Sequence, residues 1–239
     1  MKLSVVVPIT DEGFTEQVRE EVAAWALPDT TIEVRRIERG PASIESAYDE
    51  AFAMPGIVTE AEAAARDGAD GVFVTCFGDP GVHAAREALD IPVVGGFEPA
   101  VLTALSLGER VGVVTMLPNV VPTVHRMARL HGITERCRSV RAVGIPVLAL
   151  HDQETLLGRL AGEAAEAVAA QEADVIVLGC TGMMGVAAAL QTRLRRDGVP
   201  VPVVDPTGAA LCWLENLVRL GVRHSRTTYF PPPAKERLH

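Results

Sequence analysis

The sequence predicts an α/β protein of two pseudo-symmetric lobes, each a parallel sheet flanked by helices, with the active site expected in the cleft between them. Three observations predict it. Short valine-rich apolar runs alternate with amphipathic segments along the whole chain. Those runs lack period-2 alternation, as do strands buried on both faces of a parallel sheet. The chain also echoes itself, so each half reads as the same small unit.

The elements follow in order. The run from Leu3 to Ile9 holds Pro8 and is too short for a secretory leader, so it reads as a first strand near 3–8. A helix is expected over 13–26, then a strand over 31–37 whose Arg35-Arg36 pair reads as a solvated edge. Gly40-Pro41-Ala42-Ser43 is a turn, with Ser43 the expected N-cap of a helix over 44–67. A strand over 71–75 runs into Cys76. Asp79-Pro80 then reads as an N-cap and first helical residue for a helix over 81–89.

A strand over 92–95 and a helix over 98–107 come next, with Gly108 at the expected left-handed C-cap. Strand 110–115 precedes a helix over 119–131, with Gly132 as its C-cap. Strands over 140–147 and 174–179 bracket a helix over 153–171, and the second runs into Cys180. Helix 184–197 carries Arg193-Leu194-Arg195-Arg196 as a solvated face. Strand 202–205 and helix 207–220 complete the pattern, and Pro231 to His239 reads as an extended surface tail. Strand–helix alternation implies right-handed crossovers.

The echo is specific. Ala69-Asp70-Gly71-Val72-Phe73-Val74-Thr75-Cys76 matches Ala173-Asp174-Val175-Ile176-Val177-Leu178-Gly179-Cys180. Ile91-Pro92-Val93-Val94-Gly95 matches Val201-Pro202-Val203-Val204-Asp205, and Leu3–Val7 matches Val111–Thr115. Lobe 1 is expected to comprise residues 1–98 with 206–239, and lobe 2 residues 99–205.

Composition narrows the partner. The net charge is −9 and aromatic residues make up 4%, which disfavours nucleic acid and anionic lipid and leaves a small molecule. No run approaches the ~20 apolar residues of a membrane span. Four cysteines without close pairing or metal-type spacing fit a reducing cytoplasm and give no metal site.

Cys76 and Cys180 each follow a buried strand, where open α/β sheets bind ligands. Two thiols on opposite sides of one ligand suit inversion of a stereocentre, one as base and the other as acid. An ordinary thiol pKa of about 8.5, lowered by a helix N-terminus, serves both roles. Serine is too weak a base and aspartate too weak an acid. Backbone N–H groups around Phe77, Gly78, Thr181 and Gly182 are placed to hold enolate oxygens, so no cofactor is required. Further ligand contacts are expected from Pro8, Ile9, Thr10, Ser43 and Thr115, with Glu98 a weaker candidate and His83 an ordinary helix residue. Cys137, after a helix, and Cys212, within one, are expected to be structural.

At Gly40-Pro41-Ala42-Ser43-Ile44-Glu45, Cys76-Phe77-Gly78-Asp79-Pro80-Gly81, Val175–Cys180 and Val204-Asp205-Pro206 the chain resembles the aspartate/glutamate/hydantoin racemase superfamily. Within it, the resemblance is to the hydantoin and allantoin racemases. It implies a two-lobed fold, a homo-oligomer, and a two-cysteine, cofactor-independent racemase acting at C5 of a 5-substituted hydantoin or allantoin-like cyclic ureide. It places Cys76 and Cys180 as the acid/base pair and Ser43, Phe77, Gly78, Thr115 and Thr181 around the substrate. Phe77-Gly78 and Thr181-Gly182 differ from the Asn-Thr and Thr-His of glutamate racemases. Val7-Pro8-Ile9-Thr10 stands where hydantoin racemases usually carry Asn-Pro-Asn-Thr. Arylmalonate decarboxylases keep only the second cysteine, so Cys76 favours racemisation. The alternatives are another enolate-forming isomerase or epimerase and a non-catalytic small-molecule-binding protein.

Overall fold

The structure, a computed structural model, describes residues 1–150 and 152–236. Strands β1 (Lys2–Val7), β2 (Thr31–Arg36), β3 (Gly71–Val74) and β4 (Val93–Val94) form a parallel sheet in the order β2-β1-β3-β4. Strands β5 (Val111–Thr115), β6 (Cys137–Ala142), β7 (Val175–Leu178) and β8 (Val203–Val204) form a second, in the order β6-β5-β7-β8. The second order is the first shifted by one whole unit, so the duplication read in the sequence is also a duplication of topology.

Helices α1 (Glu12–Trp25), α2 (Ala47–Arg66), α3 (Val82–Ala88) and α4 (Phe97–Leu105) follow the first four strands in turn. Helices α5 (Val121–Leu130), α6 (Gln153–Ala169), α7 (Ala187–Arg196) and α8 (Pro206–Leu220) follow the second four. Helix α8 packs on α1, α4, β3 and β4, so this last helix returns to the first sheet. Every residue of β3, β5 and β7 is buried, which is why these strands carry no alternation.

The Ala-Asp echo has a physical meaning. Asp70 accepts the Lys2 backbone N–H at 2.7 Å and Asp174 accepts that of Arg110 at 2.8 Å. Each aspartate also donates its own N–H to the carbonyl of the same partner, at 2.7 and 2.9 Å. The motif clamps the start of a sheet's central strand to the start of its neighbour in both halves. Pro92 and Pro202 likewise each supply a carbonyl, to Val72 and Ile176, both at 2.9 Å.

Several local expectations are corrected. β6 begins at Cys137 and ends at Ala142, rather than spanning 140–147. The chain leaves the sheet beyond Val143, where Gly144 has φ +74° and Pro146 has no N–H to give. Cys137 is therefore a buried strand residue, while Cys212 is exposed on α8. The N-cap of α2 is Ser46, whose hydroxyl accepts from Asp49 N, and Ser43 lies outside that helix. Asp79 does not cap α3, because Gly81 in left-handed conformation starts that helix. Gly108 is not left-handed; a side chain there would collide with the Asp174 carboxylate. Gly132 is left-handed at φ +67°, as expected.

Arg35 is on an edge strand but is not simply solvated: it pairs with Glu33 and Asp67. Arg193, Arg195 and Arg196 are exposed, as expected. Residues 231–236 are exposed chain without regular structure, and the last three residues of the expected tail lie outside the described residues. No described helix is long and apolar enough to cross a membrane.

Gly179, between β7 and Cys180, sits against β5. A Cβ there would stand 2.8 Å from Val113 Cγ1 and 3.1 Å from Thr115 Cα, the latter immovable backbone. Gly179→Ala is expected to destabilise the fold by about 1–3 kcal/mol, as overpacking does. A urea midpoint equal to that of the wild type would contradict this close approach.

Candidate active site

The two cysteines leave their sheets at equivalent points. The N–H of Thr75 still bonds Val6 O at 3.0 Å, and that of Gly179 bonds Val114 O at 2.8 Å. Cys76 and Cys180 are the next residues, the first beyond the ladder. Thr181 Oγ1 donates to Thr75 O at 3.0 Å, a buried hydrogen bond between the two strand ends.

Both cysteines line one cavity of about 50 Å³. Its walls are mainly apolar: Phe14, Ile44 and Phe77 come from the first half of the chain, and Met116, Val124, Met127 and Val147 from the second. Glu45, Ser46, Glu50, Thr75, Thr123 and Thr181 add polar groups. Phe77 is held by edge-on packing on Phe97, with ring centroids 5.3 Å apart. Among the described residues, the backbone N–H groups of Phe77 and Thr181, both buried residues on this wall, have no acceptor.

The expectation that helix N-termini lower the cysteine pKa values is corrected. No helix starts at either residue: α3 begins at Val82 and α7 at Ala187. Burial dominates and pushes the Cys180 thiol up to about 11, although the Gly182 and Met183 amides work the other way. Burial also pushes the Cys76 thiol well up, opposed by the Gly78 amide and reinforced by the charge of Glu50. The Gly182 N–H donates to Cys180 Sγ at 3.3 Å.

The expected ligand contacts divide. Pro8, Ile9, Phe77, Gly78 and Thr181 lie on the cavity wall with the two cysteines. Thr10, Ser43, Thr115 and Gly182 are not among the lining residues. Thr10 instead bonds Pro41 O through both its N–H and its hydroxyl. The Thr115 hydroxyl, expected to reach the cleft, turns inward to Gly179 O at 3.0 Å, because β5 must satisfy the chain leaving β7. Gly182 lines an adjoining groove that shares Phe14 and Val147 with the cavity. Glu98 is held by Arg86 in an ion pair. His83 packs edge-on against Tyr229.

Sequence reasoning missed Ser46, Glu50 and Thr123. The Ser46-x-x-Asp49 spacing is a readable helix start, and Glu50 sits one turn after Ser46 on the same face. Asp79 was read as a local cap but does longer-range work. It accepts from Phe97 N at 2.9 Å and Glu98 N at 3.4 Å, so it caps α4. Burial pushes its carboxyl up to about 7. Among the described residues, no three His, Cys, Asp or Glu side chains cluster as a metal site would need.

Comparison with known proteins converges on one family. The Asp/Glu/Hydantoin racemase family model matches residues 3–212. The chain is 36% identical to a hydantoin racemase of Pseudomonas sp. strain NS671, over 99% of this chain and 94% of that protein. An allantoin racemase from Pseudomonas fluorescens superposes with a TM-score of 0.92 at 34% identity, covering 100% of both chains. One from Klebsiella pneumoniae superposes with a TM-score of 0.90 at 33% identity, covering 100% of this chain and 96% of that one. With this similarity running through the whole chain, the protein belongs to the Asp/Glu/hydantoin racemase family, as a racemase.

Proposed function

We propose that the protein inverts C5 of a 5-substituted hydantoin, or of an allantoin-like cyclic ureide, by proton transfer between Cys76 and Cys180 without a cofactor. The observation that carries this reading is the placement of two cysteines at equivalent strand ends on the wall of one cavity. The hydantoin and allantoin racemases it resembles support the substrate class.

The chemistry follows from the groups present. One cysteine, as thiolate, takes the C5 proton, and the electron pair moves onto the adjacent carbonyl as an enolate. The backbone N–H groups of Phe77 and Thr181 donate hydrogen bonds to that oxygen. The opposite thiol returns a proton to the other face of C5. The two cysteines end with their protonation states exchanged, and the reverse reaction restores them. An apolar wall favours this chemistry because a thiolate poorly solvated by water is a stronger base. The reading places the reacting carbon between lobe 1 (residues 1–98 and 206–239) and lobe 2 (residues 99–205).

In D2O, one enantiomer of a 5-substituted hydantoin is expected to lose optical rotation and gain one deuterium at C5. Cys76→Ser and Cys180→Ser should each lower kcat/KM by at least about 100-fold, the lower end for a general acid or base. Unchanged rotation and mass across several hydantoins and allantoin would remove the proposal.

The pH dependence has a definite sign. Cys180 is raised from an ordinary 9.0 to about 11 in the folded chain, so it remains a neutral thiol until higher pH. Alkylation of Cys180 by iodoacetamide should be slow at neutral pH and still climbing steeply at about pH 10, above the midpoint of an ordinary thiol. The unfolded chain releases this proton first, so the stability from the buried neutral thiol is lost as pH rises from about 9 to about 11. Alkylation that reaches a plateau near pH 8 would contradict the burial argument.

A further inference from the structure

Glu50 has no part in the proton transfer, yet it lies on the cavity wall with Cys76. It occupies the first turn of α2, and its side chain is 13% exposed. Burial raises its carboxyl above the usual range, against the pull of Arg126 and with the help of Asp49. Its two oxygens have different surroundings. Oε2 accepts from Arg126 Nη2 at 2.8 Å, and Arg126 comes from α5 in the other half of the chain. Oε1 lies over Gly78, where any Cβ would collide with it. It accepts no hydrogen bond among the described residues.

A cyclic ureide presents two kinds of polar group. Its carbonyl oxygens need donors, which the Phe77 and Thr181 amides supply. Its ring N–H groups need an acceptor, and the surrounding wall is mainly apolar. Each of the two carboxylates on that wall has one oxygen bonded and one without a hydrogen bond among the described residues: Glu45 Oε1 accepts from the Val147 backbone N–H at 2.8 Å, whereas Glu50 is the one held by a charged side chain and set over Gly78 beside Cys76. Glu50 keeps an oxygen free and has its other oxygen fixed by a guanidinium.

We propose that Glu50 is a substrate-binding residue whose Oε1 accepts a hydrogen bond from a ring N–H while Arg126 holds Oε2. The inference rests on the cyclic-ureide reading and deepens it, because it states what orients the ring between the thiols. Glycine at position 78 is then part of the same site, since it leaves the space that Oε1 occupies. The Glu50 charge also faces Cys76, together with Cys180 and Asp79, and all three oppose the thiolate there.

The test crosses a substitution with a substrate change. Glu50→Gln keeps its oxygen for Arg126 and turns an NH2 towards the ring, so the ring N–H loses its acceptor. Racemisation of one 5-substituted hydantoin and of its N1-methyl and N3-methyl forms is measured with wild type and Glu50→Gln. The wild type should lose at least about tenfold in kcat/KM on methylation at one of the two nitrogens. Glu50→Gln should be impaired on the parent compound but lose little more on that methylation. Glu50→Asp, which keeps the charge with a shorter reach, should fall between them and serves in the cycle if Glu50→Gln does not fold. Losses that multiply independently at both nitrogens would overturn the contact.

A second readout needs no turnover. Cys76 alkylation should run faster in Glu50→Gln at every pH where the protein stays folded, as removal of a neighbouring like charge requires. Superposed profiles would overturn the placement of Glu50. If the wild type exchanged no C5 proton in any hydantoin, the cyclic-ureide reading would fall, and the alkylation profile alone would decide the placement of Glu50.

Discussion

The hydrogen bond from Thr181 Oγ1 to the Thr75 carbonyl joins two sheets that share no strand. Both residues are buried, so an unpaired carbonyl here would carry the full cost of desolvation, about 1–3 kcal/mol. Thr75 precedes Cys76 and Thr181 follows Cys180, so one bond ties the backbone beside each thiol to the other. The rest of the cavity depends on this registration. The apolar walls from the two halves meet around it, and Asn119, Arg126 and Val147 reach across to the segment Glu45–Glu50. Movement of one sheet relative to the other would disturb these contacts together.

The duplication is broken where the first cysteine sits. In the second half, Asp205 follows β8 and caps α8 directly, accepting from Thr207 N and Gly208 N. The matching position after β4 is Gly95, which offers no side chain to α4. Asp79 supplies the cap instead, reaching from the loop that carries Cys76. Gly95 is also required by that solution, because a Cβ there would collide with the Asp79 carboxyl. The Cys76 carbonyl accepts from Gly96 N at 3.1 Å and from Asp79 N at 3.3 Å, so the loop and the helix start form one unit. Asp79 holds φ at +51°, uncommon for a residue with a side chain, and two capping bonds offset that cost.

Much of the fold was legible because parallel strands buried on both faces leave unbroken valine runs. The cysteine pair was legible because duplication put the same motif at two strand ends. What escaped has physical reasons. β6 is an edge strand whose Arg138 and Arg141 interrupt any apolar run, so its start at Cys137 did not stand out. The cap supplied by Asp79 spans 18 residues, while local spacing rules see only the next turn. Glu50 on a helix has the look of a solvated charge until Arg126, 76 residues away, is brought against it. Thr115 was correctly placed at a strand end, but the sequence carries no signal for which way its hydroxyl points.

The two thiols are equivalent in topology and unequal in surroundings. Cys180 Sγ accepts from the Gly182 N–H, its carbonyl accepts from the Met183 N–H, and the thiol faces the charge of Glu45. Cys76 receives the Gly78 amide alone and faces Glu50, Cys180 and Asp79. These surroundings oppose a thiolate more strongly at Cys76 than at Cys180. For a racemase this asymmetry has a limited reach. The enantiomers have equal free energy, so kcat/KM must be the same in the two directions whatever the proton affinities of the free enzyme. An unequal pair can only divide that common ratio differently between kcat and KM for the two enantiomers. A ring N–H bonded to Glu50 would partly satisfy the charge that opposes a thiolate at Cys76. Bound substrate would then bring the two proton affinities closer, which is the condition under which neither direction is held back by a misplaced proton.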